Sequence, residues 1–118
     1  MDAAVIARID ATLLPQMDRH HLRLLAHCLE SFKAMRGGNE GLLPDAASRR
    51  RWCEQQPVVA EDPAFLRSLM QQLNGAAEQL QDLANSLGKS PLELQLDDLI
   101  PAAEARCHLQ LQHQSSDA

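Results

Sequence analysis

Residues 66–87 read LRSLMQQLNGAAEQLQDLANSL. Leu66, Leu69, Leu73, Ala76, Leu80, Leu83 and Leu87 step by 3, 4, 3, 4, 3 and 4. An apolar residue about every 3.5 positions lays one continuous apolar seam along an α-helix. Asp62-Pro63 marks the start: a carboxylate that can cap the first N–H groups, then a proline whose fixed φ suits the first helical position. Gly88 marks the stop, because glycine takes up left-handed backbone geometry without a Cβ penalty. A helix over about 63–87 is predicted. Gly75 lies inside it at a cost of about 1 kcal/mol relative to alanine, and reads as the site of a close helix crossing or a slight bend.

Such a seam needs a partner. Leu22, Leu25, Leu29 and Phe32 step by 3, 4 and 3, with Leu24, Cys28 and Met35 widening the stripe. They predict a helix over about 17–36, capped by Pro15-Gln16 or Asp18 and ended by Gly37-Gly38. Outward from this pair, Asp2 can cap a first helix over about 3–14 carrying Val5, Ile6, Ile9, Leu13 and Leu14, which Pro15 stops. Residues 37–44 read as a loop. Asp45 caps a short helix to about Gln56, and 57–62 form a second connector. Ser90-Pro91-Leu92-Glu93 has the form of a capping box opening a short helix. A last helix begins near Asp97 or Asp98 and runs to about Gln112.

Composition points the same way. Leu occurs 20 times and Ala 17 times, Val, Ile and Thr together 7 times, and Tyr is absent. Strands favour β-branched and aromatic residues, and helices favour Leu, Ala and Gln. At 118 residues the chain has one domain's length. The expected fold is all-α: a single-domain bundle of five or six helices over residues 1–112, the helix at 63–87 packed on that at 17–36, and a frayed tail at 113–118. A homodimeric coiled coil is the competing use of the seam. Three heptads are short for that, and the flanking Ser68, Gln72, Asn74, Gln79 and Gln81 are uncharged, so the pairing that selects coiled-coil partners is missing. Leftover apolar surface leaves room for a homodimer.

Net charge is −5, which disfavours generic binding to nucleic acid or anionic membrane. The charge is uneven: residues 1–58 carry 8 basic and 7 acidic side chains, residues 59–118 carry 3 and 9. No stretch reaches the ~18 apolar residues of a membrane span, and the N-terminus lacks the basic and apolar regions of a signal peptide. Cys28, Cys53 and Cys107 are odd in number and widely spaced, as free thiols of a reducing cytoplasm would be. Arg outnumbers Lys 9 to 2, a bias typical of GC-rich bacterial genomes.

Residues 80–96 place a small residue at Ala84, a glycine at Gly88 and an aliphatic residue at Leu94, with Leu87 and Ser90 also in pattern. This stretch resembles the helix-turn-helix of phage-repressor-like DNA-binding domains over about 20 residues. The resemblance implies a recognition helix after the turn. Its outward positions would carry Glu93, Gln95, Asp97 and Asp98 and no Arg or Lys, which sets carboxylates toward phosphates. Nucleic-acid binding therefore stands as the disfavoured alternative.

Arg49-Arg50-Arg51-Trp52 is the sharpest surface feature. Each helical residue turns ~100°, so the three guanidinium groups fan around the exposed side. Span 19–51 holds seven basic and three acidic residues. The segment is the candidate partner-binding site, because Arg and Trp combine contact area with a polar handle. The bland reading is a solvated face that pairs with the acidic half of the chain.

Catalytic and metal signatures are missing. Gly37, Gly38 and Gly41 precede Leu-Leu-Pro and not the Lys-Ser or Lys-Thr of a phosphate loop, and no nucleophile elbow occurs. His20, His21, His27, Cys28, Cys53, Cys107, His108 and His113 form no Cys-x-x-Cys pair and no His pair four apart. No cofactor, metal or catalytic residue is predicted. The sequence reads as a non-enzymatic protein–protein interaction module of a bacterial cytoplasm: an adaptor, assembly factor or regulatory subunit.

Overall fold

The computed structural model describes residues 3–38, 40–57 and 61–116 and side chains as far as Leu109; among the described residues an all-α bundle shows five helices and one 3-10 turn. They are α1 (Ala3–Asp10), α2 (Gln16–Arg36), α3 (Ala46–Glu54), α4 (Pro63–Leu87) and α5 (Leu96–Ser116), the 3-10 turn being Pro91–Glu93. The fold class expected from the composition is the one observed.

The helix ends follow from local chemistry. The Asp62 carboxylate accepts from the N–H groups of Ala64 and Phe65 at 3.0 and 3.2 Å, ahead of Pro63. At the far end Gly88 has φ +67, the Lys89 N–H reaches the Ala84 carbonyl at 3.0 Å and the Gly88 N–H that of Asn85 at 3.4 Å. These two bonds make a Schellman stop. Helix α2 closes identically, with Gly37 at φ +72 and the N–H groups of Gly37 and Gly38 on the carbonyls of Ala34 and Lys33. The Pro15 carbonyl opens α2 by accepting from Arg19. Asp98 opens α5 from its third position, its carboxylate accepting the Gln95 N–H at 2.9 Å, half of a capping box.

The chain divides into two compact units, Met1–His27 with Leu94–Ala118, and Cys28–Glu93; α2 supplies residues to both. In the first, Ile9, Leu14, Leu22, Ala26, Leu94 and Leu99 are buried. Arg8 pairs with Asp97, Arg23 Nη1 lies 3.6 Å from Asp10 Oδ1, and Arg106 Nη1 lies 3.5 Å from His21 Nε2. The two Arg–Asp pairs are surface salt bridges, which contribute about 0–1 kcal/mol each, so apolar burial carries the unit. In the second unit the backbones of α3 and the 3-10 turn lie against α4. The loop before α3 is fastened to the 3-10 turn at Gly41, whose N–H donates to Ser90 Oγ at 3.3 Å and whose carbonyl accepts from Leu92 at 3.2 Å. Gly41 holds φ +102 there.

Several elements depart from the sequence reading. Helix α1 stops at Asp10 and not near 14, because the Thr12 hydroxyl and N–H both take the Ile9 carbonyl at 2.7 and 3.1 Å, a local bond that competes with helix. Leu13 is thereby 100% exposed and leaves the apolar stripe. Leu25 is half-buried, and Ala26 takes its place in the core. In α4, Leu73, Ala76 and Leu80 are buried as the seam predicts, but Leu66, Leu69 and Leu83 are half-buried, Leu87 is exposed, and Ala77 and Ala84 are buried instead. The short helix expected after Ser90 is the three-residue 3-10 turn, since the Ser90 hydroxyl serves Gly41 and not a capping box. Helix α5 runs past Gln112 to Ser116. Asp2, residues 58–60 of the expected connector and residues 117–118 of the expected tail lie outside the described residues.

Gly75 makes no close crossing. A Cβ there would meet no heavy atom within 4 Å. Gly75→Ala should therefore recover the helix-propensity deficit, about 1 kcal/mol of added stability, seen as a melting temperature raised by about 4 °C. A lowered melting temperature would show that the position has a packing role.

Candidate docking surface on α3

Asp45 stands at the start of α3 with extended backbone (φ −71, ψ 173), and its carboxylate accepts from Ser48 N–H at 2.8 Å. That bond, with the Ser48 hydroxyl and the positive charges of Arg51 and Arg49, holds the Asp45 carboxyl below its ordinary pKa. The cap sets the rotation of the helix and with it the direction of each following side chain.

Of the three arginines expected to fan around the exposed side, Arg50 and Arg51 do so and Arg49 does not. Arg49 is half-buried. Its Nη1 donates to the Pro44 carbonyl at 2.8 Å and its Nη2 to Asn74 Oδ1 at 3.0 Å, so it ties α3 to α4. Its Nε is buried with no partner. Arg50 and Arg51 are exposed. Arg50 Nε donates to Glu54 Oε1 at 2.8 Å, one turn on, and Arg51 Nη2 reaches Ser48 Oγ at 3.3 Å. Trp52 is half-buried and Cys53, the next residue, fully buried. The helix thus presents Arg50 and Arg51 outward, with Trp52 half-buried and Arg49 held by Pro44 and Asn74. Asn74, the partner of Arg49, was missed by sequence reading: it sits 25 residues away among uncharged seam-flanking positions, with no local signal joining the two.

Among the described residues no three His, Cys, Asp or Glu side chains are grouped to hold a metal ion, and no helix is long and apolar enough to cross a membrane. The three cysteines are free, Cys28 and Cys53 buried and Cys107 half-buried. Burial pushes the Cys28 thiol above its ordinary pKa, against the lowering effect of Gln72; burial and then Glu54 push Cys53 up. Both stay protonated at neutral pH and are poor nucleophiles. A thiol whose folded pKa is raised contributes stability below the unfolded value near 9.0 and loses it as pH rises further. The urea midpoint should therefore fall above about pH 9, and a thiol reagent at pH 8 should label Cys107 well before Cys28 and Cys53. Equal labelling rates in the native protein would contradict this placement.

The family model described as NDH complex assembly factor CRR9 matches residues 1–110 of the 118. No curated protein and no solved structure matches the chain.

Proposed function

The chain belongs to the NDH complex assembly factor CRR9 family, and on that premise we propose that it is a non-catalytic assembly factor that binds a protein component of an NDH complex through α3. The observation that carries the reading is the match over 110 residues, which takes in every residue of the candidate surface.

The docking surface is the exposed Arg50 and Arg51 together with the half-buried Trp52 that follows them on α3. An Arg–Trp pairing offers a planar, weakly hydrated cation beside a large apolar face, the combination most enriched among binding hot spots. Arg49 serves this surface indirectly, by fixing α3 on α4. The partner surface is acidic with an apolar centre. A bacterial cytoplasm is the proposed setting, on the excess of Arg over Lys and the free thiols.

Affinity capture with the tagged chain, with and without nuclease, tests the reading. NDH complex subunits should be recovered in both arms. The double variant Arg50→Glu, Arg51→Glu should recover them at least about 30-fold less while its melting temperature is nearly unchanged. Undiminished recovery by the double variant would move the docking surface off α3. Loss of the subunits upon nuclease treatment would favour a nucleic-acid bridge.

A further inference from the structure

A second surface of the same unit carries the opposite charge. The loop Leu42–Asp45, the start of α3 and the middle of α4 enclose an open groove of about 910 Å³. Its apolar part is Leu43, Pro44 and Ala77, with Leu42 alongside, 67% exposed to solvent although it is a leucine. Its charged part is Glu78 and Asp82, one helical turn apart on α4 and both exposed. Neither carboxylate has an ion-pair or hydrogen-bond partner among the described residues. Like charges at i and i+4 repel along a helix, so the pair is a standing cost that a cation placed between them relieves. The groove's own cation does not do this. Arg49 is held by the Pro44 carbonyl and Asn74, and Asp45, the third carboxylate, is engaged as the α3 cap.

We propose that this groove is a binding site for an extended basic segment of a protein partner, in which an arginine bridges Glu78 and Asp82 and a neighbouring aliphatic side chain packs on Leu42, Leu43 and Ala77. Charge complementarity selects the occupant: two unpartnered carboxylates repel nucleic acid and anionic lipid, and match a guanidinium, whose planar fork can donate to both. The exposed leucine selects the second feature, since an apolar residue next to the arginine is what removes Leu42 from water. The site is separate from the Arg50–Trp52 surface and does not depend on the assembly role.

The test uses the full chain and three fluorescein-labelled hexapeptides, alternating Arg with Leu, Arg with Ser, and Glu with Leu, followed by fluorescence anisotropy. The Arg/Leu peptide should bind saturably and more tightly than both others. The isosteric double variant Glu78→Gln, Asp82→Asn should weaken it by about tenfold, the loss expected when charge-assisted bonds are removed. Leu42→Ser should weaken it by several fold. Arg50→Gln, Arg51→Gln, which alters only the other surface, should leave it unchanged, and the melting temperatures of all variants should lie within about 3 °C of the wild type. No saturable binding of the Arg/Leu peptide overturns the proposal. So does equal binding of the Arg/Ser peptide, or an affinity unmoved by the Glu78 and Asp82 substitutions. An affinity that follows the Arg50 and Arg51 substitutions also overturns it.

Discussion

Leu80→Ala should lower the unfolding free energy by about 2–5 kcal/mol, whereas Leu83→Ala, three residues on in the same heptad seam, should cost less than half as much. Leu80 is fully buried in the centre of α4, between Ala77 and Ala84, both also buried. Truncation there removes three carbon atoms from a closed environment and leaves a cavity that flanking alanines are too short to fill. Leu83 is half-buried, so its truncation removes less apolar area from contact and opens no sealed void. Urea melts of the two variants against the wild type make the comparison. Equal losses would mean that the strict heptad face is the packed one. A loss below about 0.5 kcal/mol at Leu80, the range of surface substitutions, would mean that the seam is not core.

Phe32→Ala should be at least as damaging, at about 3–5 kcal/mol. Phe32 is 0% exposed, the largest fully buried side chain among the described residues, and Cys28, Leu29 and Ser31 on the same helix are buried around it. Domains of this size are stable by about 5–15 kcal/mol, so the variant should lose between about a fifth and all of that stability, read as a lowered urea midpoint. Phe32→Leu keeps most of the volume and should cost about 1.5 kcal/mol or less. The pair of variants separates loss of volume from loss of the ring: similar losses in both would point to a specific ring contact and not to filling of space.

The helices themselves were legible because their signals are local. Asp62-Pro63, Asp45, Gly37 and Gly88 act within one helical turn, and each makes the bond its residue type implies. What faced inward was legible only in part. A straight helix has 3.6 residues per turn, so a 3.5-residue repeat drifts by about 20° per heptad. From Leu73 that drift moves the buried line onto Ala84 and leaves Leu83 at the edge; Leu66, Leu69 and Leu87 lie toward the helix ends, where fewer neighbours cover them. Leu13 was misplaced because Thr12 took the Ile9 carbonyl, a choice between near-equal local bonds that periodicity does not register. The turn at 84–94 fits a helix-turn-helix spacing, yet Ser90 bonds to Gly41, 49 residues earlier in the chain, and only a 3-10 turn forms. The same limit applies to the candidate surface. The Arg-Arg-Arg-Trp run was evident, and ~100° per residue implied a fan; that Arg49 is the member turned inward depended on Asn74 and the Pro44 carbonyl. The groove beside Leu42 was not legible, because Glu78 and Asp82 look like any solvated helix face until the loop is placed against them.

The central claim is that α3 docks a protein component during assembly of an NDH complex. Its most direct test is the amount of assembled complex, read on native gels, in cells whose own copy has been deleted and then complemented. Wild type should restore the complex. The variant with Arg50 and Arg51 replaced by glutamate and Trp52 by alanine, expressed to the same level, should not. Full assembly in the deleted cells, or full rescue by the α3 variant, would contradict the account.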